Sequence, residues 1–128
     1  MTIVIDAAAL MALMLGETGA VVVVDVIRGS MMSSVNVSES CTRAVERGAQ
    51  PGDVLNIIQG YEIEIVDFDL EQAFEAARLR ETTRHAGSSL GDRACLALAG
   101  LRNGTIYTAD RRMGSLKDQL GIDIRLIR

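Results

Sequence analysis

Four acidic residues, Asp6, Glu39, Asp92 and Asp110, stand where an α/β chain places ligand-binding groups. Asp6 directly follows the apolar run TIVI, and Asp110 closes TIYTAD. Glu39 falls in the first turn of the helix expected after MMSSV, and Asp92 in the first turn of the helix opened by SSLGDRACLALA. In open α/β sheets, ligands sit beyond the carboxyl ends of the strands. Carboxylates gathered there repel one another and raise each other's pKa, so a cluster of them favours a cation. Mg²⁺ or Mn²⁺ suits such a site, because these hard ions take oxygen ligands and leave positions for water and phosphate. An ion of this kind acidifies and orients an attacking water and neutralises the leaving oxygen, so phosphodiester hydrolysis needs no histidine base.

Each acid also has a purely structural reading. Asn36 with Glu39, and Ser89 with Asp92, have the spacing of a capping box, which satisfies free amides at a helix start. Asp6 and Asp110 fit as ordinary N-caps, worth about 1 kcal/mol each. Asp67 and Asp69, in EIEIVDFDLEQ, also follow a strand, and Asp69 with Gln72 repeats the cap spacing. Position alone therefore leaves both readings open.

Other chemistries find less support. The only histidine, His85, falls near the end of a long helix, where a cation complements the helix dipole. One imidazole cannot form an acid–base pair, and a Ser-His-Asp triad has little to stand on. No P-loop or GxGxxG stretch is present. Cys41 and Cys95 lack the spacing of a zinc knuckle or redox dithiol and read as small buried thiols.

The elements that must carry the acids follow from length and pattern. A chain of 128 residues, 48% hydrophobic and 23% charged, suits one globular domain spanning 1–128. With 3% aromatic residues, its core is aliphatic. The charge-free run from Ala7 to Leu15 is about half of the roughly 20 residues that span a bilayer. The first charge, Asp6, lies inside the apolar stretch rather than before it, so no secretory signal is indicated and a cytoplasmic location is expected. The net charge of −4 gives no basic footprint for nucleic acid, so an RNA partner needs bound metal to supply positive charge.

Short β-branched runs alternate with helical patterns, the signature of βα units feeding a mostly parallel sheet. Strands are expected at Thr2–Ile5, Met31–Val35, Glu62–Val66, Thr105–Thr108 and Asp123–Ile127. Helices are expected at Ala8–Leu15, Val37–Arg47, Asp53–Gln59, Leu70–His85, Leu90–Arg102 and Gly114–Leu120. Leu70, Ala73, Phe74 and Ala77, with Leu79 or Arg80 after a gap, form the expected stripe by which the longest helix packs on the sheet. Ala8–Leu15 is apolar all round, which suits either full burial or a partner. Ala20–Ile27 reads AVVVVDVI, with strand preference, although a helix pairing with Ala8–Leu15 suits the element order.

The stretches VIDAAALMALMLGE, SSVNVSE, SLGDRACLALA and TIYTADRRM, in this order, resemble the PIN-domain ribonucleases, in particular the VapC-type toxins of bacterial toxin–antitoxin pairs. The resemblance runs nearly the whole chain, to the final IDIRLIR. It implies an α/β PIN-like fold, with a five-stranded, mostly parallel sheet flanked by helices. It also implies an acidic quartet of Asp6, Glu39, Asp92 and Asp110, with Asp6, Asp92 and Asp110 as ligands of Mg²⁺ or Mn²⁺. Asn36 and Thr108 match polar positions beside the acids, and Arg93 is the best placed of Arg93, Arg111 and Arg112 to meet an RNA phosphate. The implied protein is a toxin that cleaves RNA, is silenced by a cognate antitoxin lying along an apolar groove, and forms a homodimer. The alternatives are a PIN nuclease of RNA processing with no antitoxin, or a catalytically silent α/β interaction module. The chain departs from the family at Ala8, where many relatives carry a hydroxyl that adds one hydrogen bond at the site.

Overall fold

In the computed structural model, which describes residues 1–128, five short parallel strands form one sheet in the order β3-β2-β1-β4-β5. They are β1 (Ile3–Ile5), β2 (Met31–Ser33), β3 (Glu64–Val66), β4 (Thr105–Thr108) and β5 (Ile124–Leu126). Each lies within a segment the sequence marks as strand, β4 at its full expected length and the others trimmed. Successive strand residues face opposite sides, so Val4 and Ile106 enter one core while Ile5 and Met32 enter the other. Helices α1 (Ala7–Leu15), α2 (Ala20–Ile27), α3 (Ser34–Glu46) and α4 (Pro51–Gly60) cover the Ile5 face. On the Val4 face lie α5 (Leu70–Thr83), α6 (Leu90–Arg102), α7 (Arg111–Gly114) and α8 (Lys117–Leu120). The chain thus forms an α/β sandwich in three layers.

The order of strands creates a switch point. From β1 the chain moves outward to β2 and β3 on one side, and returns on the other side as β4 and β5. At such a point the loops beyond adjacent strands diverge and leave a crevice. Asp6 follows β1 and Asp110 follows β4, the two strands flanking that crevice.

The structure resolves the open choice at Ala20–Ile27 and corrects several local expectations. Ala20–Ile27 is a helix, because burial of Val23 and Ile27 against the Ile5-side core outweighs the β preference of its valines. Gly19, at φ 98°, starts it where a Cβ would lie 2.7 Å from the carbonyl oxygen of Ile127. The helix expected over Gly114–Leu120 is shorter, α8 beginning only at Lys117, and a separate short helix, α7, ends at Gly114. Helix α5 ends at Thr83, and His85 sits in a following 3-10 turn, exposed. The buried stripe of α5 is Gln72, Ala76, Leu79 and Thr83, while Leu70 and Phe74 are 72% and 70% exposed. Gln72 fixes that rotation: its amide nitrogen donates to the Asp67 carbonyl at 2.9 Å, and small Ala76 packs in the core beside α6. Helix α1 is largely buried through Ala7, Ala9, Leu10, Met11 and Ala12. Apolar surface is instead exposed by its end, Leu15, and by Val21, Val22 and Val24 of α2. Cys95 is buried as expected, but Cys41 is only half-buried. No single helix is long and apolar enough to cross a membrane.

Candidate active site

Asp6 is the most constrained of the four acids. It caps α1, its Oδ1 accepting the Ala9 amide at 2.9 Å, and its Oδ2 accepts the Thr108 hydroxyl at 2.5 Å. The Thr108 oxygen in turn accepts the Asp110 amide at 3.0 Å. One buried hydroxyl at the end of β4 therefore fixes the acid after β1 and the backbone that presents the acid after β4. Asp6 is 4% exposed. Burial, with the charges of Asp92 and Asp110 adding to it, pushes its pKa up to about 6 despite the Thr108 and Ala9 hydrogen bonds.

The remaining acids enter from three helices, Asp110 as a cap, Asp92 in a first turn and Glu39 in a second. Asp92 forms a capping box with Ser89: its Oδ2 accepts the Ser89 amide at 2.9 Å, and Ser89 Oγ accepts the Asp92 amide at 3.1 Å. Asp110 caps α7 through the Arg112 amide at 2.9 Å, with Arg112 Nε 3.6 Å away. Glu39 differs, because α3 begins at Ser34 with Ser33 as its cap. That start places Asn36 inside the helix and Glu39 in its second turn, so the Asn36–Glu39 capping box is not formed. Instead the buried Asn36 Nδ2 donates to Glu39 Oε1 at 2.7 Å and to the Gly91 carbonyl at 3.1 Å. Asn36 thus fixes Glu39 and binds α3 to the start of α6.

Gly91 is required for that approach. A Cβ on it would overlap the Glu39 carboxylate, so glycine there lets Glu39 lie against the turn that carries Asp92. Beneath this junction the buried Cys95 thiol is pushed well up, first by burial and then by the charges of Asp6, Asp92 and Glu39. Those three acids therefore surround one end of α6, and Asp92 and Asp110 both act on Asp6. Asp67 and Asp69 are exposed beyond β3, the edge strand two places from β1. Asp69 is a plain cap, its Oδ1 taking the Gln72 amide at 2.9 Å.

The structure places Arg93 elsewhere than the site. Its Nη1 donates to the Ala76 carbonyl of α5 at 3.1 Å and its Nε is buried without a partner, so this guanidinium braces α5 on α6. Sequence reasoning missed two residues, Gly91 and Arg43. Arg43 lies one turn after Glu39, with Nη2 4.0 Å from Oε2, a spacing already visible in the helical pattern.

In this side-chain arrangement no three carboxylates meet within reach of one ion, since Asp92 and Asp110 turn an oxygen to their own helix starts. The donor set is nonetheless that of a hard divalent cation: carboxylate oxygens around a crevice, with no thiol or imidazole facing them. Two further observations fit positive charge there. Asp6 is a buried carboxyl with raised proton affinity and no cationic partner. Asn36 Oδ1 is buried with no hydrogen-bond donor.

Comparison with known proteins places this geometry in a family. Residues 3–118 match the family model of the PIN domain, and the chain belongs to that family, a family of nucleases. No curated protein sequence is a significant match. Among solved structures, a toxin–antitoxin complex from Klebsiella pneumoniae superposes with a TM-score of 0.74 at 18% identity, covering 99% of this chain and 98% of that one. DNA-bound VapBC from Salmonella typhimurium gives 0.72 at 17% identity over 100% and 99% of the two chains. VapBC2 from Rickettsia felis, bound to a DNA fragment from its promoter, gives 0.73 at 16% identity over 98% of each. At these identities the likeness is one of fold.

Proposed function

We propose, from its place in the PIN family, that the chain is the toxin of a toxin–antitoxin pair and an endoribonuclease that hydrolyses RNA phosphodiesters at the acidic crevice. The observation that carries this reading is the convergence on Asp6. A buried carboxyl with both oxygens held by β4 and α1 lies within the fields of Asp92 and Asp110, at the switch point of the sheet. A carboxylate placed only to cap α1 has no need of a second fixed oxygen facing other acids.

Asp6, Asp92 and Asp110 would hold Mg²⁺ or Mn²⁺, and Glu39 would complete the pocket or help polarise the attacking water. A divalent ion, when bound, supplies charge neutralisation at the phosphate and acidifies water. The chain's own part is positional. Thr108 orients Asp6, Asn36 orients Glu39, and Gly91 lets α3 and α6 approach, which brings Glu39 against the turn that carries Asp92. Oxygens fixed before substrate arrives need little reorganisation as charge develops.

The solved structures that resemble this chain include complexes with antitoxins, which supports an antitoxin as its partner. Leu15, Val21, Val22 and Val24 give such a partner an apolar face to cover. A homodimer is part of the same reading. Light scattering is expected to return twice the 13.8 kDa chain mass. Expression in bacterial cells tests the toxin role. Wild type is expected to arrest growth, and Asp92→Asn, which keeps a capping side chain, is expected to be harmless. Co-expressing an adjacent small reading frame should restore growth. Equal tolerance of wild type and variant removes the toxin reading.

A second reading has its own observation. Asp6, Asp92 and Asp110 do cap helices, as Asp69 does at a position outside the crevice. In a catalytically silent module that is their whole role, and Asp→Asn variants would change neither metal binding nor RNA.

A further inference from the structure

We propose that Arg43, Arg47 and Arg128 form a phosphate-binding subsite that receives the RNA strand next to the acidic crevice, an inference that rests on the RNA-cleaving reading above. A chain of net charge −4 needs local positive charge to hold a polyanion. Of the arginines nearest the acids in sequence, Arg93 is bound to α5 and Arg112 lies beside Asp110, so neither supplies it freely. Helix α3 and its C-cap carry a further pair, Arg43 and Arg47. Glu39, Arg43 and Arg47 follow at four-residue intervals on one face, about 12 Å along the axis.

Arg43, Arg47 and Arg128 line a cavity of about 250 Å³ together with Ala8, Met11 and Glu17. Arg43 also lines a neighbouring cavity of about 480 Å³ that contains Glu39, Ser89 and Gly91. Arg43 is therefore shared between the arginine cluster and the cavity of Glu39, which Glu46 also lines, and Ala8, two residues after Asp6, lines the cavity of the arginine cluster. The only acid lining the smaller cavity is Glu17, which already faces Arg128 Nη1 at 3.6 Å. Arg47 makes no ion pair or side-chain hydrogen bond, and the Arg43–Glu39 separation of 4.0 Å is loose. Guanidinium groups match phosphate geometry with paired donors. A strand whose scissile phosphate sits at Asp6 and Glu39 would place a neighbouring phosphate in this cavity.

The test is fluorescence anisotropy with a mixed-sequence single-stranded RNA in Ca²⁺ across a KCl series, using the full chain. Arg47→Ala and Arg128→Ala are each expected to weaken binding and to reduce the slope of log K against log salt by about 0.7. Arg47→Lys should retain the slope, and Arg47→Glu should weaken binding more than Arg47→Ala. Arg102→Ala, at the far end of α6, should change neither quantity. Melting curves check folding, and Arg47 has no partner whose loss would perturb it. Wild-type affinity and slope in both alanine variants overturn the proposal. So does unchanged RNA binding with loss of poly-glutamate binding, which would assign the cavity to an acidic peptide. Cleavage by wild type is followed in parallel. If wild type cuts RNA while the variants bind normally, only this subsite falls; if wild type neither binds nor cuts RNA, the RNA-cleaving reading falls and the subsite with it.

Discussion

Replacing Asp6 by Asn isolates the buried carboxylate on which the crevice is built. Burial raises the pKa of Asp6 from 3.8 to about 6 in the folded chain. A carboxyl whose folded pKa lies above its unfolded value stabilises the fold while protonated. That contribution is fully present below pH 3.8 and is lost as pH rises through about 6. A shift of about 2 units corresponds to roughly 3 kcal/mol. In chelator, wild type should therefore lose about 3 kcal/mol between about pH 4 and pH 8 that Asp6→Asn does not lose. The variant carries a cost independent of pH, because an amide nitrogen cannot accept the Thr108 hydroxyl, at about 1–2 kcal/mol. The two stability curves should then cross, with wild type more stable in acid and the variant more stable in mild alkali. Urea unfolding across the pH range measures this directly, with equal m-values as the check on two-state behaviour. Parallel curves would refute the reasoning, since they would mean that Asp6 titrates alike in the folded and unfolded chain.

The same logic extends to its neighbours. Thr108→Val removes the donor to Asp6 and the acceptor of the Asp110 amide, and is expected to cost about 1–3 kcal/mol by urea titration and to raise the Asp6 pKa further. A Cβ at Gly91 meets the carboxylate of Glu39 first, so Gly91→Ala should cost about 1 kcal/mol through the lost Asn36–Glu39 hydrogen bond and lower RNA cleavage, because Glu39 is displaced from Asn36. Asn36→Ala leaves the Gly91 carbonyl and Glu39 without their donor, and should cost about 1–3 kcal/mol together with loss of cleavage. Saturating Mg²⁺, at about a hundred times its dissociation constant, should raise wild-type stability near pH 8 by about 2.7 kcal/mol and raise Asp6→Asn by clearly less.

The inner strands were legible as short apolar runs and the edge strands β3 and β5 as alternations of apolar and charged residues, and the helices between them dictate parallel pairing. Asp6 and Asp110 were legible for the same reason, since an acid directly after a parallel strand lies at the ligand edge whatever the loop does. Which acids converge was not legible from position. Asp67 and Asp69 follow a strand just as Asp6 does, and only the order β3-β2-β1-β4-β5 sets them at the margin. The Thr108–Asp6 hydrogen bond joins residues 102 apart in sequence and leaves no local trace. The stripe of α5 was misassigned because Leu70 and Phe74 follow helical periodicity as well as the true stripe does, and tertiary hydrogen bonding by Gln72 selected the other face. Helix α3 starting at Ser34 turned the expected Asn36 cap into a buried partner of Glu39.

The central claim, that these acids hold a divalent ion for RNA cleavage, is tested most directly by incubating purified wild type and Asp6→Asn with single-stranded RNA in Mg²⁺, Mn²⁺ or chelator. Cleavage is expected only from wild type and only with metal, from a variant shown to be folded. Equal cleavage by both proteins, or cleavage by wild type undiminished in chelator, would contradict it.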